Sequence, residues 1–332
     1  MNANTEDRDG LRAFAETARH AIAACQKLTL RERAARLAAD GLLGILAAEE
    51  AGGLGLDAGF AVPAMEAAGA GLLGFPLLET LLLAAALGQD PSANTIVFGE
   101  KIATIAWSGT ADHTGGVLHG TVGRAPLARE ADLVLVATAN GAALVALDGP
   151  GVTVTHAIGL DIDAPECEIT LDGAAPVATI GPEALAHLRE EALVLWAAAI
   201  QGSADACLAL AVEHTGTREQ FGRQLVTFQV LRHALARQKL AVEHIRATLT
   251  RYAALAAAGA PEARLARHTA FAVATRFGAA AVESALQLHG GMGFTWDLPL
   301  HRHLRRIRAW EAQGDNVGLH RGLASDLLRA NA

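Results

Sequence analysis

Beyond Gly181-Pro182 the chain keeps a helical period nearly to its end. Leucine and alanine recur three and four apart through Glu183–Thr215, Val226–Ala257, Pro261–His289 and Leu300–Ala330. Four long amphipathic runs joined by short connections pack most readily as an antiparallel bundle, so residues 182–332 are expected to form a C-terminal four-helix bundle. Glu183 lies in the first turn of the first run, where an acidic side chain favours helix initiation. The chain is 52% hydrophobic, and alanine and leucine supply most of that, which favours helix over sheet.

The preceding segments differ in period. From Asp7 to about Gly88 the spacing is again helical, with breaks at Gly52-Gly53 and Pro76, which predicts an N-terminal helical domain over 1–93. Glu49 and Glu50 there are expected at a solvated helix end. Between Asn94 and Ile180 the period becomes strand-like. Ile102–Trp107, Gly116–His119, Leu133–Ala137, Ala143–Leu147, Val152–Thr155 and Glu168–Leu171 are short β-rich runs separated by glycine, aspartate or proline. They predict a small antiparallel barrel or sandwich over 94–181. The fold class is therefore α+β, and 332 residues suffice for two or three packed domains.

A formal net charge of -8 argues against a general nucleic-acid binder, and the arginines between Arg302 and Arg308 fall on a predicted helix. Cys25, Cys167 and Cys207 are far apart and odd in number, suggesting neither a disulfide framework nor a metal site. The opening MNANTEDRDG is acidic and unlike a signal peptide, so a cytoplasmic location is expected. The most apolar runs, Leu72–Leu87 and Leu193–Val212, contain Glu79 and Gln201 with Asp205, and neither reads as a membrane span.

Two motifs carry chemistry. In HTGTREQFGRQLVTFQ, His214 to Gln229, Arg218 stands beside Gln220, Phe221 and Gly222 at an expected helix-to-helix turn, with Phe228 and Gln229 re-entering a helix. A bidentate cation, a flat apolar ring and an approachable backbone make a compact phosphate grip. The bland alternative is a solvated arginine in a polar turn. Downstream, Gln287-Leu-His-Gly290-Gly291-Met-Gly293-Phe294 closes the third helical run. There Gly290-Gly291 suits either a C-cap or close approach to a ligand, and His289 suits a cap or the core. His301 and His303 are expected to end a helix or line an interface.

Together the two motifs resemble the acyl-CoA dehydrogenase family, whose C-terminal bundle carries R-x-x-F-G…F-Q and then Q-x-x-G-G-x-G. Gly41 to Gly55 is similar to the family's G-L-x-G-x-x-x-P-E-x-x-G-G-x-G segment, with Ala48 in place of proline. The resemblance implies FAD as cofactor, an acyl-CoA thioester as substrate and an electron-transfer flavoprotein or similar acceptor. It implies that Arg218 pairs with the flavin pyrophosphate and that Phe221 packs on the dinucleotide. Gln220 belongs to the same grip, Gln229 and Gln287 would offer amide hydrogen bonds, and Gly290 and Gly291 would admit the phosphates.

The same resemblance implies a general base, and none stands in its place. Counted from Arg305, the position of the family's E-G-T glutamate falls on Gly314. Asp315 and Glu311 are near in sequence, but one helical step turns a side chain by roughly 100°. An earlier base position found in some members falls near Gly259, with Glu262 the next carboxylate. The family octet T-E-P-x-x-G-S-D is missing from Ala106–Gly116. Gly120 keeps its family spacing to Ala131-Asp132, yet Arg124-Ala125-Pro126 occupies the Trp-Ile-Thr positions that meet the flavin ring. In the family, Arg-x-x-Phe-Gly and Gln-x-x-Gly-Gly reach across to a neighbouring subunit's flavin. A chain that keeps them and loses base and ring contacts implies a half-site subunit of a heterodimer or heterotetramer acting on a steroid or other bulky CoA ester in lipid degradation. The other readings are a self-sufficient dehydrogenase with a displaced base and a non-catalytic structural or regulatory paralogue.

Overall fold

The computed structural model describes residues 3–330, so the expectations made for Met1, Asn2, Asn331 and Ala332 lie outside the described residues. Its elements run α1 (Ala3–Ala24), α2 (Leu30–Ala39), α3 (Ala58–Ala70), α4 (Leu77–Leu87), α5 (Pro91–Val97), then strands β1 (Ala103–Ile105), β2 (Asp112–Thr114), β3 (Val117–Pro126), β4 (Leu133–Thr138), β5 (Gly141–Ala146), β6 (Val152–His156), β7 (Glu166–Ala174) and β8 (Pro176–Ile180). Helix α6 (Pro182–Thr217) follows, then the two-residue strands β9 (Glu219–Gln220) and β10 (Arg223–Gln224), and helices α7 (Gln229–Ala257), α8 (Ala263–His289), α9 (Leu300–Gln313) and α10 (Asn316–Ala330). By contact the chain forms two compact units, one of residues 1–67 and 73–195, the other of 68–72 and 196–332.

In the first unit local chemistry sets the helix starts. Thr29 and Glu32 form a reciprocal capping box at α2, and Asp90 accepts from Ser92 N–H at 2.8 Å ahead of Pro91 in α5. Glu49 and Glu50 are exposed at the start of a short 3₁₀ turn. The strands make two four-stranded sheets, ordered β1-β4-β5-β8 and β2-β3-β7-β6. Val134, Val136, Ala143 and Val145 of the first meet Leu118, Val122, Ile169 and Leu171 of the second in one buried core. Strands β4 and β5 are buried on both faces, which their continuous apolar sequences require, because α4 packs beside β1 and β8.

The antiparallel expectation needs one correction: β1 lies parallel to β4, in register Ala103↔Leu133 to Ile105↔Leu135. A parallel neighbour needs a long crossover, and β2 and β3 of the other sheet supply it. Strand β2 was missed because all three residues are exposed and polar. Strand β8 was missed because it is an edge strand opening on Pro176, a residue that edges tolerate. Asp132, from the Ala-Asp pair, fastens α2 to the sheet. Its carboxylate accepts from both Arg31 guanidinium nitrogens at 2.6 Å and from Ile102 N–H at 2.7 Å. Burial pushes this carboxyl up, but the Arg31 and Ile102 hydrogen bonds and the nearby Lys101 outweigh it and hold it below the ordinary carboxylate range.

In the second unit α7 turns Gln238, Ala241, Val242, Ile245, Leu249 and Tyr252 inward at helical spacing toward α8. Where α6 crosses α8, a Cβ on Gly278 would stand 2.3 Å from Ile200, so only glycine allows that approach. The expected fourth helix is two helices: α9 ends at Gln313, and Gly314-Asp315, with Asp315 at φ 44, turns the chain into α10. His303 and Arg306 are 2% exposed on α9, so His303, in the first turn at that helix's N-terminal end, is a core residue. His301 packs edge-on against Trp296, with ring centroids 4.6 Å apart. Helix α6 passes the length and composition test for a membrane span, with 78% of its most apolar window buried inside the structure. The three cysteines are free and buried.

Candidate cofactor site

Arg218 lies in the expected connection between two helices, α6 and α7, and that connection is built as a β-hairpin. Its N–H donates to the His214 carbonyl at 2.9 Å as α6 ends, and Leu225 N–H returns to the Arg218 carbonyl at 2.9 Å. Strands β9 and β10 pair Gln220 with Arg223, leaving Phe221 and Gly222 as a two-residue tip with φ of 54° and 72°. A two-residue hairpin that follows the strand twist needs both tip residues at positive φ, which explains the glycine. It does not explain the phenylalanine. A bulky residue in the left-handed region costs roughly 1–2 kcal/mol, and Phe221 is 92% exposed, so little packing offsets that cost. Among the described residues its aromatic neighbour is Phe228, edge-on with centroids 6.2 Å apart, itself covered by the Arg223 guanidinium 4.0 Å above the ring.

The second motif closes α8. Gly290, at φ 59, caps the helix and donates its N–H to the Gln287 carbonyl, and Gly290–Phe294 make a 3₁₀ turn. No atom lies within 4 Å of where a Cβ on Gly290 or Gly291 would be, so the backbone stays open after capping. Gly293 is different: a Cβ there would lie 2.6 Å from the Leu286 carbonyl oxygen, so it is required by packing.

A pair of histidines joins the two motifs. His214, one turn before Arg218, stacks on His289, the residue before Gly290, with centroids 4.3 Å apart and planes 24° from parallel. His289 is buried, and its Nδ1 lies 2.8 Å from the Ala285 carbonyl oxygen. The C-terminus of α6, the N-terminus of α7 and the C-terminus of α8 thus share one end of the bundle. That end presents Arg218, Gln220, Phe221, Gln229, Gln287, Gly290 and Gly291, all exposed. Gln220 Nε2 donates locally to the Glu219 carbonyl at 2.8 Å, and Arg218 makes no ion pair among the described residues. Phe294 and Trp296 beside them are each 71% exposed.

The candidate base positions are elsewhere or engaged. Gly314 cannot carry a side chain as packed: a Cβ would stand 2.4 Å from Cζ of Phe271, a fully buried ring tilted against Trp196 at 5.7 Å. Glu311 has both carboxylate oxygens engaged, one by Arg308 at 2.8 Å and the other by Asn316 Nδ2 at 3.0 Å. Asp315 is exposed and accepts from Gly318 N–H at 3.2 Å, a cap on α10. Gly259 and Glu262 lie at the far end of the 29-residue α7 from the two motifs, about 40 Å of helix away at 1.5 Å per residue.

The middle-domain segment is filled by its own protein. Ala125 and Pro126 of β3 are buried, the Pro126 carbonyl accepts from Thr104 Oγ1 at 2.7 Å, and Arg124 lies 3.4 Å from Glu166. In the Ala106–Gly116 run, Ser108 exchanges both backbone hydrogen bonds with Gly123, and Ala111 N–H donates to Ala137. Three contributors were not singled out from sequence: Arg223, His214 and Phe271. Each acts through a partner remote in sequence, apart from Arg223, whose spacing to Phe228 was a local signal.

Residues 183–314 match the family model described as acyl-CoA dehydrogenase, C-terminal domain. Acyl-CoA dehydrogenase FadE27 of Mycobacterium tuberculosis is 30% identical over 335 residues, covering 91% of this chain and 89% of that one. Among solved structures, the ChsE4-ChsE5 complex of Mycobacterium tuberculosis contains a chain 28% identical, with a TM-score of 0.85 over 96% of this chain and 97% of that one. A G363A variant of the steroid ACAD Tcur3481-Tcur3483 gives 26% identity and a TM-score of 0.86 over 97% of this chain and 99% of that one. With helical regions before and after a β domain in chain order, His214 stacked on His289, and a relative 30% identical over nine-tenths of its length, the chain belongs to the acyl-CoA dehydrogenase family.

Proposed function

We propose that this chain is the complementary subunit of a heteromeric FAD-dependent acyl-CoA dehydrogenase, completing a flavin site on a homologous subunit that holds the flavin ring and the base. The observation that carries the reading is a split between two halves of one chemistry. The pyrophosphate-type donors stand open at one end of the bundle. The base position and the ring-side segment are filled by the chain's own residues, with Phe271 against Gly314 and Ala125-Pro126 in the β core.

The open half fits a dinucleotide by the chemistry of its donors. Arg218 offers a planar fork for a pyrophosphate, Phe221 a strained and exposed apolar face, and Gly290-Gly291 a backbone free of side chains. The ring half does not fit, since Ala125 and Pro126 offer neither an aromatic face nor a hydroxyl and are buried. When bound, flavin supplies the hydride acceptor for α,β-dehydrogenation. On this reading the chain's own residues bind and orient, and proton removal belongs to the partner. The steroid ACAD among the similar structures and the two-component ChsE4-ChsE5 complex favour a bulky acyl-CoA substrate and a heteromeric assembly. An electron-transfer flavoprotein is the acceptor consistent with the family.

Two results test this. The chain expressed alone should retain little FAD, and co-expression with the homologous subunit should restore the yellow flavin spectrum; stoichiometric flavin on the lone chain would overturn the reading. In the co-expressed complex, Glu311→Gln and Asp315→Asn should leave turnover within a few-fold of wild type. Removing a general base costs about a hundred- to ten-thousand-fold, so a collapse of that size with flavin still bound would place the base on this subunit. The self-sufficient dehydrogenase would then be the better account.

A further inference from the structure

We infer that the stacked pair His214–His289 is part of the anion site with Arg218, and that His214 takes up a proton when the pyrophosphate binds. This rests on the flavin reading above and adds to it two residues and a pH dependence. The geometry comes first. His214 is one helical turn from Arg218 on the end of α6, and His289 directly precedes the open Gly290-Gly291 backbone, so the stack is the junction between the two halves of the grip. A carbonyl oxygen only accepts, so the contact with Ala285 places a His289 proton on Nδ1 and fixes that ring under His214.

Electrostatics then sets the direction. The groups acting on His214 are its own burial, His289 from α8 and Arg218 from the hairpin, and all three hold its imidazole below the ordinary histidine range. Without an anion, then, protonation of the His214 ring is disfavoured. A pyrophosphate on Arg218 offsets the repulsion from that arginine and adds an attraction, which raises the His214 pKa in the bound state. A group whose pKa is higher in the bound state strengthens binding as pH falls. The gain begins near the bound-state pKa and is complete below the free-state one. One proton taken up corresponds to at most a tenfold change in affinity per pH unit.

The probe is FAD, added to the flavin-stripped complex of this chain with its homologous subunit and followed by quenching of flavin fluorescence. The pyrophosphate of FAD is already fully ionised from pH 6 to 8 and adds no slope of its own. The dissociation constant is expected to fall by about three- to thirtyfold from pH 8 to pH 6, within that tenfold-per-unit ceiling. His214→Phe, which keeps the ring stack and removes the titration, should flatten the dependence. Calorimetry on the wild-type complex in two buffers of different ionisation enthalpy should show fractional proton uptake at pH 7, a measurement that needs no variant. FAD binding that is weakened by Arg218→Ala yet equally tight at pH 6 and 8 would overturn the role of the pair and leave the flavin reading standing. A full pH slope surviving in His214→Phe would overturn it as well. Binding indifferent to Arg218→Ala would overturn the flavin reading beneath both.

Discussion

Arg218→Ala should weaken FAD binding to the assembled complex by about ten- to a hundredfold, because a hydrogen bond to a charged group contributes roughly 1.5–3 kcal/mol. The variant is well suited to the question. Arg218 is exposed, it makes no ion pair among the described residues, and the hairpin is held by its backbone bonds to His214 and Leu225. Loss of the side chain should therefore leave folding nearly untouched, within about 0.5 kcal/mol. Arg218→Lys should fall between, since lysine keeps the charge and loses the planar fork. Flavin content measured by absorbance after gel filtration checks both. Unchanged flavin in Arg218→Ala would reduce the hairpin to a structural turn.

Much of the architecture was legible because it rests on local periodicity. Helices α6, α7 and α8 begin and end within a few residues of where the apolar spacing placed them, and β4 and β5 follow directly from uninterrupted apolar runs. What could not be read depends on pairs distant in sequence. The parallel β1–β4 register joins residues 103 and 133, and the lack of room for a side chain at 314 comes from Phe271, remote in sequence. The hairpin at Phe221 escaped for a different reason. A phenylalanine at positive φ contradicts local preference, and such conflicts gather where a chain is shaped for something outside itself. The seven candidate cofactor residues could be named from their motifs. That they share one end of the bundle, joined by a histidine stack, required the structure.

Gly314→Glu, which restores the residue type missing from the expected base position, should destabilise the protein and add no turnover. The backbone is not the obstacle: Gly314 has φ -81, open to any residue, and its N–H bonds to the Trp310 carbonyl. The obstacle is Phe271, whose Cζ and Cε1 would lie 2.4 and 2.7 Å from a new Cβ. That ring is fully buried against Trp196, so it cannot swing aside without disturbing the core between α6 and α8. Overpacking of this kind costs about 1–3 kcal/mol, which at about 2–4 °C per kcal/mol predicts a drop in Tm of roughly 2–12 °C. Because the clash is at Cβ, Gly314→Ala should show most of the same loss. Phe271→Leu shortens the ring edge and should recover at least half of it in the double variant, an interaction energy of about 0.5–3 kcal/mol for residues in contact. A fully stable Gly314→Glu, or losses that simply add in the double variant, would show that Phe271 does not fill the space a side chain at 314 would need.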